Sequence, residues 1–298
     1  MESKVGFYSD GLRIAGVLFE PDEAPDGSCP AIVLCQGMIG IKEYFWFPEI
    51  GRQFAQAGFV ALIWDYRGVG ESEGEHGRLY PQEQAEDIRN ALTYLETNPK
   101  VDPDRLALIG WSFGGGMVPY VAGVDERVRC AISVAGWSDG GRWAQSVRRD
   151  YEWRYLLDRI AEDRRTRVKT GESQLRDLMD ILVPDPAEAE ERDSILGKVP
   201  HMENPSLTPY SLASEEMLHR FKPIDVVDRI SPRAALYIIA GRDTICPAEQ
   251  AIEMYERTRE PKKLWVIPGL SHYGVYGEPY KTQVMDMSMA YLKEHLDL

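Results

Sequence analysis

The chain has 298 residues, 44% of them hydrophobic and 28% charged, with a formal net charge of −14 at neutral pH. That length holds one large domain with an insertion and an ample buried core. The acidic balance lacks the basic footprint that DNA or RNA binding needs, and no apolar run is long enough to cross a bilayer.

Taken in chain order, apolar and β-branched runs alternate with helical stretches. The runs Lys4–Tyr8 and Leu12–Phe19 read as closely connected strands that form an antiparallel edge. Ala31–Cys35 is a strand, followed by a helix at Pro48–Ala57, a strand at Val60–Trp64 and a helix at Pro81–Thr97. Arg105–Ile109 leads into a helix at Phe113–Ala122, and Cys130–Val134 is the next strand. After an interruption the pattern resumes with Ala234–Ala240, a helix at Ala248–Thr258, Lys263–Ile267 and a final helix at Pro279–Leu296. Pro81 and Pro279 suit helix openings, where the missing N–H costs nothing. The alternation predicts an α/β fold: a mostly parallel sheet with helices on both faces.

The alternation stops near Ser138 and returns near Pro223. The predicted organisation is a core domain of residues 1–137 and 221–298, with residues 138–220 inserted as a helical cap or lid. The insertion is dense in charge and aromatics, and its spacings (Leu156, Leu157, Ile160; Leu175, Leu178, Ile181, Leu182) suit amphipathic helices. Pro184, Pro186, Pro200, Pro205 and Pro209 break it into short pieces.

The four cysteines, at positions 29, 35, 130 and 246, form no C-x-x-C pair and no metal spacing, and Cys35 and Cys130 read as small core residues. Met1–Gly6 lacks the apolar core of a signal peptide. The expectation is a cytoplasmic protein without cofactor or metal, acting on a small molecule and not on nucleic acid or a membrane.

The richest motif is Gly110-Trp111-Ser112-Phe113-Gly114, placed between the strand ending at Ile109 and the helix opening at Phe113. A serine on such a sharp strand-to-helix turn presents its hydroxyl to a cleft, and the flanking glycines avoid clashes of a Cβ with strand or helix. A serine hydroxyl needs a general base to attack a carbonyl, and the base needs an orienting acid. Asp243 and His272 each fall just beyond the carboxyl end of a predicted strand, at the edge where open parallel sheets build sites. Asp225 and Asp228 also lie between Ser112 and His272, but ahead of the strand at 234–240 and so at its wrong end. His76, His201, His219 and His295 read as surface or packing residues.

The ordered set resembles the α/β-hydrolase superfamily over most of residues 1–135 and 222–298. Its parts are Cys35-Gln36-Gly37-Met38 after a strand, Asp65-Tyr66-Arg67-Gly68-Val69-Gly70-Glu71-Ser72, the serine turn, Gly241-Arg242-Asp243 and Ser271-His272. The start and the middle segment look most like the dienelactone-hydrolase and S9/S15-peptidase branch. The resemblance implies a triad of Ser112, Asp243 and His272, with an oxyanion hole made by the backbone N–H groups of Met38 and Phe113. Many relatives have His-Gly where this chain has Gln36-Gly37; Gln36 then either braces the loop or faces the substrate. Tyr44 is a side-chain donor to the oxyanion or, on the simpler reading, a packing aromatic. Relatives also carry a helical cap at the insertion, which would supply the pocket; the simpler alternative is a helical satellite that packs a homodimer. Trp111, Trp137, Trp143, Trp153 and Tyr210 are pocket candidates.

The function these features imply is a serine hydrolase that cleaves a small, uncharged, partly apolar carboxylic ester. The same triad leaves open a peptidase or amidase, a thioesterase or a carbon–carbon bond hydrolase. A peptidase needs acids to grip a free N-terminus, for which Glu152, Asp158 and Glu215 are the candidates.

Overall fold

The computed structural model describes residues 1–38, 41–44, 46–196 and 209–297, so His201, Pro200 and Pro205 lie outside the described residues. The strands are β1 (Glu2–Ser9), β2 (Leu12–Phe19), β3 (Cys29–Cys35), β4 (Val60–Trp64), β5 (Val101–Trp111), β6 (Val128–Val134), β7 (Leu175–Arg176), β8 (Tyr210–Ser211), β9 (Ala234–Ala240) and β10 (Lys262–Ile267). The helices are α1 (Phe47–Gln56), α2 (Pro81–Glu96), α3 (Phe113–Val124), α4 (Gly140–Ser146), α5 (Asp150–Thr170), α6 (Leu178–Leu182), α7 (Pro186–Leu196), α8 (Leu212–Arg220), α9 (Ala248–Arg257) and α10 (Tyr280–His295).

Eight strands form one sheet in the order β1-β2-β4-β3-β5-β6-β9-β10. β1 pairs antiparallel with β2, and β2 with β4, while every later pairing is parallel. Position in the sheet explains the composition of each strand. Every residue of β3, β4 and β9 is buried, because helices cover both faces, and these are unbroken apolar runs. β1 and β10, at the two edges, keep exposed positions. α1 and α2 turn Ile50, Phe54, Ile88 and Leu92 inward, and Pro81 opens α2 while Pro279 precedes α10.

Between β6 and β9 the chain leaves the sheet. α4 to α8 lie there, with the short ribbon of β7 and β8 held by the pairs Leu175–Ser211 and Arg176–Tyr210. The density of charge in this segment is answered internally. Glu215 is buried between Arg148 (3.1 Å) and Arg176 (2.7 Å), and Asp163 pairs with Arg167 at 2.7 Å. Leu156, Ile160 and Leu212 make a small apolar cluster of their own, against which Trp153 packs.

The loop after β4 is tied down by buried charge. Asp65 is fully buried and accepts the Lys42 backbone N–H (2.7 Å), the Lys42 ammonium (2.7 Å) and the Glu71 N–H (2.9 Å). Arg67 grips Asp87 with two nitrogens, at 2.8 and 2.5 Å. Lys42 belongs to the loop that follows β3, so Asp65 ties that loop to the end of β4. Asp65→Ala leaves the buried Lys42 ammonium with only the exposed acids Glu43 (3.0 Å) and Glu71 (2.6 Å), and should cost about 3–5 kcal/mol. Urea denaturation of the two proteins measures it.

Candidate active site

Ser112 sits at the junction of β5 and α3 with φ 55° and ψ −114°, a region that costs a residue with a side chain about 1–3 kcal/mol. Its surroundings force it there. A Cβ on Gly110 would lie 2.2 Å from the Gly114 carbonyl oxygen, and one on Gly114 would lie 2.2 Å from that of Cys35. β5, α3 and the loop after β3 therefore pack at backbone contact, and only glycine fits both places. The Ser112 N–H donates to Val134 O (2.9 Å), and the Gly114 N–H to Gln36 O (2.9 Å).

The loops after β9 and β10 are joined by Gly241 N–H to Ile267 O (2.9 Å) and Arg242 N–H to Leu270 O (2.7 Å). They bring Asp243 and His272 together: Asp243 Oδ2 lies 2.7 Å from His272 Nδ1, and His272 Nε2 lies 2.9 Å from Ser112 Oγ. The other Asp243 oxygen accepts the N–H groups of Ile245 (2.9 Å) and Cys246 (2.6 Å), which fixes the carboxylate in place. A carboxylate can only accept, so Nδ1 carries the proton and Nε2 is left to accept from the serine hydroxyl. Ser112 is 8% exposed, Asp243 7% and His272 2%, so water screens these contacts little. Burial opposes a charged imidazole, but the Asp243 carboxylate outweighs it and holds His272 well above its ordinary pKa.

A family model described as the alpha/beta hydrolase fold matches residues 30–178, half of the chain. The chain belongs to the α/β-hydrolase family. Among its relatives are a polyketide transferase from a Penicillium species, 27% identical over 96% of this chain and 94% of that one, and a thiohydrolase from Aspergillus aculeatus, 26% identical over 99% and 93%. The crystal structure of an α/β hydrolase from a Penicillium species superposes with a TM-score of 0.82 at 27% identity, covering all of both chains.

In this family member, Phe113 is the first residue of α3, where a backbone N–H has no acceptor within its own helix. Met38 follows Gly37, which lies against Ser112: a Cβ on Gly37 would be 3.4 Å from the serine Cβ and 3.5 Å from the Tyr276 hydroxyl. The Met38 carbonyl accepts the hydroxyl of Tyr210 (3.0 Å), so the inserted segment holds this loop from above. Beside Ser112, Met38, Phe113, Trp137, Trp143, Leu182, Leu218 and Cys246 line a small apolar cavity of about 10 Å³. Trp137 donates its indole N–H to Phe113 O (3.3 Å), and Trp143 to Ile245 O (2.6 Å).

Four of the pocket candidates lie elsewhere. Gln36 is buried and turned away: its amide nitrogen donates to Trp64 O and braces the loop against the end of β4. Tyr44 is half-buried against the main core. Trp111 sits on the opposite side of β5 from the cavity, edge-on to Phe47 at 5.1 Å. Trp153 packs at a tilt against His219, with ring centroids 5.2 Å apart, within the inserted segment. An indole or phenol in a sequence carries no sign of which face of its element it occupies. Cys246, Leu182 and Leu218, which the sequence did not single out, are apolar residues like any in a core. Glu188 of α7 is a further unflagged neighbour: one oxygen accepts the N–H groups of Thr244 (3.0 Å) and His272 (3.3 Å). Among the described residues no group of three or more His, Cys, Asp or Glu could hold a metal, and no helix is long and apolar enough to cross a membrane.

The backbone contact at the serine turn has a direct consequence. Gly114→Ala should force β3 and α3 apart and destabilise the protein by about 1–3 kcal/mol, read as a lowered urea midpoint. The same variant should also lose reactivity at Ser112.

Proposed function

We propose that this protein is a serine acyl hydrolase whose substrate is a small, uncharged, partly apolar carboxylic ester. The observation that carries the reading is the unbroken chain from Asp243 to His272 (2.7 Å) to Ser112 (2.9 Å), built on a strained turn and shielded from water. His272 takes the serine proton as Ser112 Oγ attacks the carbonyl, and Asp243 stabilises the imidazolium that forms. The Phe113 and Met38 N–H groups receive the oxyanion, each such donor contributing about 3–4 kcal/mol in the transition state. The alcohol leaves with the proton from His272. A water deprotonated by the same ring then releases the acid and restores Ser112.

Residues 138–220 act as the cap in this reading: α6 and α8 bring Leu182 and Leu218 over the serine, and Tyr210 reaches the oxyanion loop. The cavity's apolar lining favours an acyl group without charge. A thioester is the second reading, supported by the relatives: a thiohydrolase and a polyketide transferase both align along nearly all of this chain. A peptidase has less support. Glu215 is held by two arginines, Glu152 accepts the Arg149 N–H as an N-terminal cap of α5, and Asp158 is exposed on the outside of that helix.

Hydrolysis of p-nitrophenyl esters from acetate to decanoate, beside acyl thioesters of matched chain length and an aminoacyl arylamide, tests the choice. The expected result is a chain-length optimum on esters, no arylamide cleavage, and a loss of about 10³-fold or more in Ser112→Ala. Leu182→Ala should move the optimum toward longer acyl chains. The pH profile of kcat/KM adds a check with a definite sign. Only the neutral imidazole accepts the serine proton, so activity should rise with pH through the raised pKa of His272, above the value of roughly 6.5 of a free histidine.

A further inference from the structure

We infer that Glu188 is a positioning residue for this reaction, tying the inserted helix α7 to both the acid and the base loops and adding a second negative charge beside the His272 ring. The inference rests on the serine-hydrolase reading above. Glu188 stands in the first turn of α7 and is 2% exposed. Its Oε1 accepts two backbone N–H groups from different loops: Thr244, the residue after Asp243, at 3.0 Å, and His272 itself at 3.3 Å. One oxygen thus sets the spacing between the residue that orients the base and the base. Its neighbours in sequence reach the same two loops. Asp185 caps the Glu188 N–H (2.8 Å) and accepts the Thr244 hydroxyl (3.3 Å), while Glu191 accepts the Ser271 hydroxyl.

Tethering alone would be served by any acceptor, and a glutamine carbonyl would hold both N–H groups. The remaining Glu188 oxygen argues for a second task, because it is buried and has no hydrogen-bond partner among the described residues. A carboxylate left in that state is costly unless its charge interacts with something nearby. The charged and titratable groups around it are Asp243 on the acid loop, His272 and Tyr273 on the base loop, Cys246 beyond, Asp185 just before its own helix, and Glu191 and Arg192 on it. Arg192 is engaged with Asp193 at 2.7 Å, which leaves the His272 ring as the group that gains most from a second anion. Burial raises the pKa of Glu188, with Asp243 adding to the rise and the two N–H groups and His272 opposing it.

The test uses no assumed substrate: the rate at which a fluorophosphonate labels Ser112 is measured across roughly pH 5 to 9 in wild type, Glu188→Gln, Glu188→Ala and Ser112→Ala. Glu188→Gln keeps the tether and removes the charge. Without that anion the imidazole loses its proton more readily, so the acid limb should move to lower pH by roughly one unit. Glu188→Ala removes both, and its plateau rate should fall about 10- to 100-fold through the displaced base. A Glu188→Gln profile that superimposes on wild type overturns the proposal, whether or not Glu188→Ala folds. Wild-type protein that is not labelled at Ser112 overturns the serine-hydrolase reading itself. Labelled wild type with an unmoved Glu188→Gln profile overturns only the role of Glu188.

Discussion

A serine with φ 55° is a conformation that residues with side chains avoid, and here it persists because three pieces of backbone leave it no alternative. β5, α3 and the loop after β3 meet at Gly110 and Gly114 with no space for a Cβ, and hydrogen bonds from Ser112 to Val134 and from Gly114 to Gln36 close the arrangement. The hydroxyl then stands clear of the sheet edge, at the one place where loops from β9 and β10 can bring an acid and a base to it. The parallel sheet supplies the rest. Its strands all deliver their carboxyl ends to the same edge, so residues 131 and 160 positions apart in sequence become neighbours there.

Around that edge the protein uses buried charge in two different ways. Asp65 and Lys42 form a buried pair, with Glu43 and Glu71 also on the ammonium, that holds the loop after β3. Asp243, His272 and Glu188 form an open set, with an imidazole among carboxylates in a site that water barely reaches. Polar groups of the inserted segment touch it at two places: Tyr210 at the Met38 carbonyl, and Glu188 with Asp185 and Glu191 at the acid and base loops. The segment is therefore joined to the site by polar contacts as well as by the apolar residues Leu182 and Leu218 that line the cavity.

Much of this was legible in the sequence. The alternation of apolar runs and amphipathic stretches located all eight strands of the main sheet, and β1 and β2 form its antiparallel edge because too few residues separate them for a crossover. The glycines around Ser112, and the positions of Asp243 and His272 just past strand ends, placed three distant residues at one edge. The aromatic residues were another matter. Trp137 and Trp143 reach the cavity while Trp111 and Trp153 do not, a distinction set by which face of an element each occupies and by how the inserted helices pack. Gln36 was readable only as two alternatives until its amide was seen to donate to Trp64. Glu188 carried no signal, since its partners are 56 and 84 residues away and an acid in a charge-rich helix reads as a solvated face. The narrower likeness to the dienelactone-hydrolase and S9/S15 branch rests on the sequence alone; what the family match establishes is the α/β-hydrolase fold.

The central claim is that Ser112 becomes acylated. Rapid quenching of a p-nitrophenyl ester reaction into acid, followed by digestion and mass mapping, measures this directly. The account predicts one acyl group per chain on the peptide containing Ser112, formed in a burst of p-nitrophenol and absent from His272→Ala. Acyl groups found on Cys246, which lies against the same ring, or turnover with no covalent intermediate on Ser112 under any quench, would contradict it.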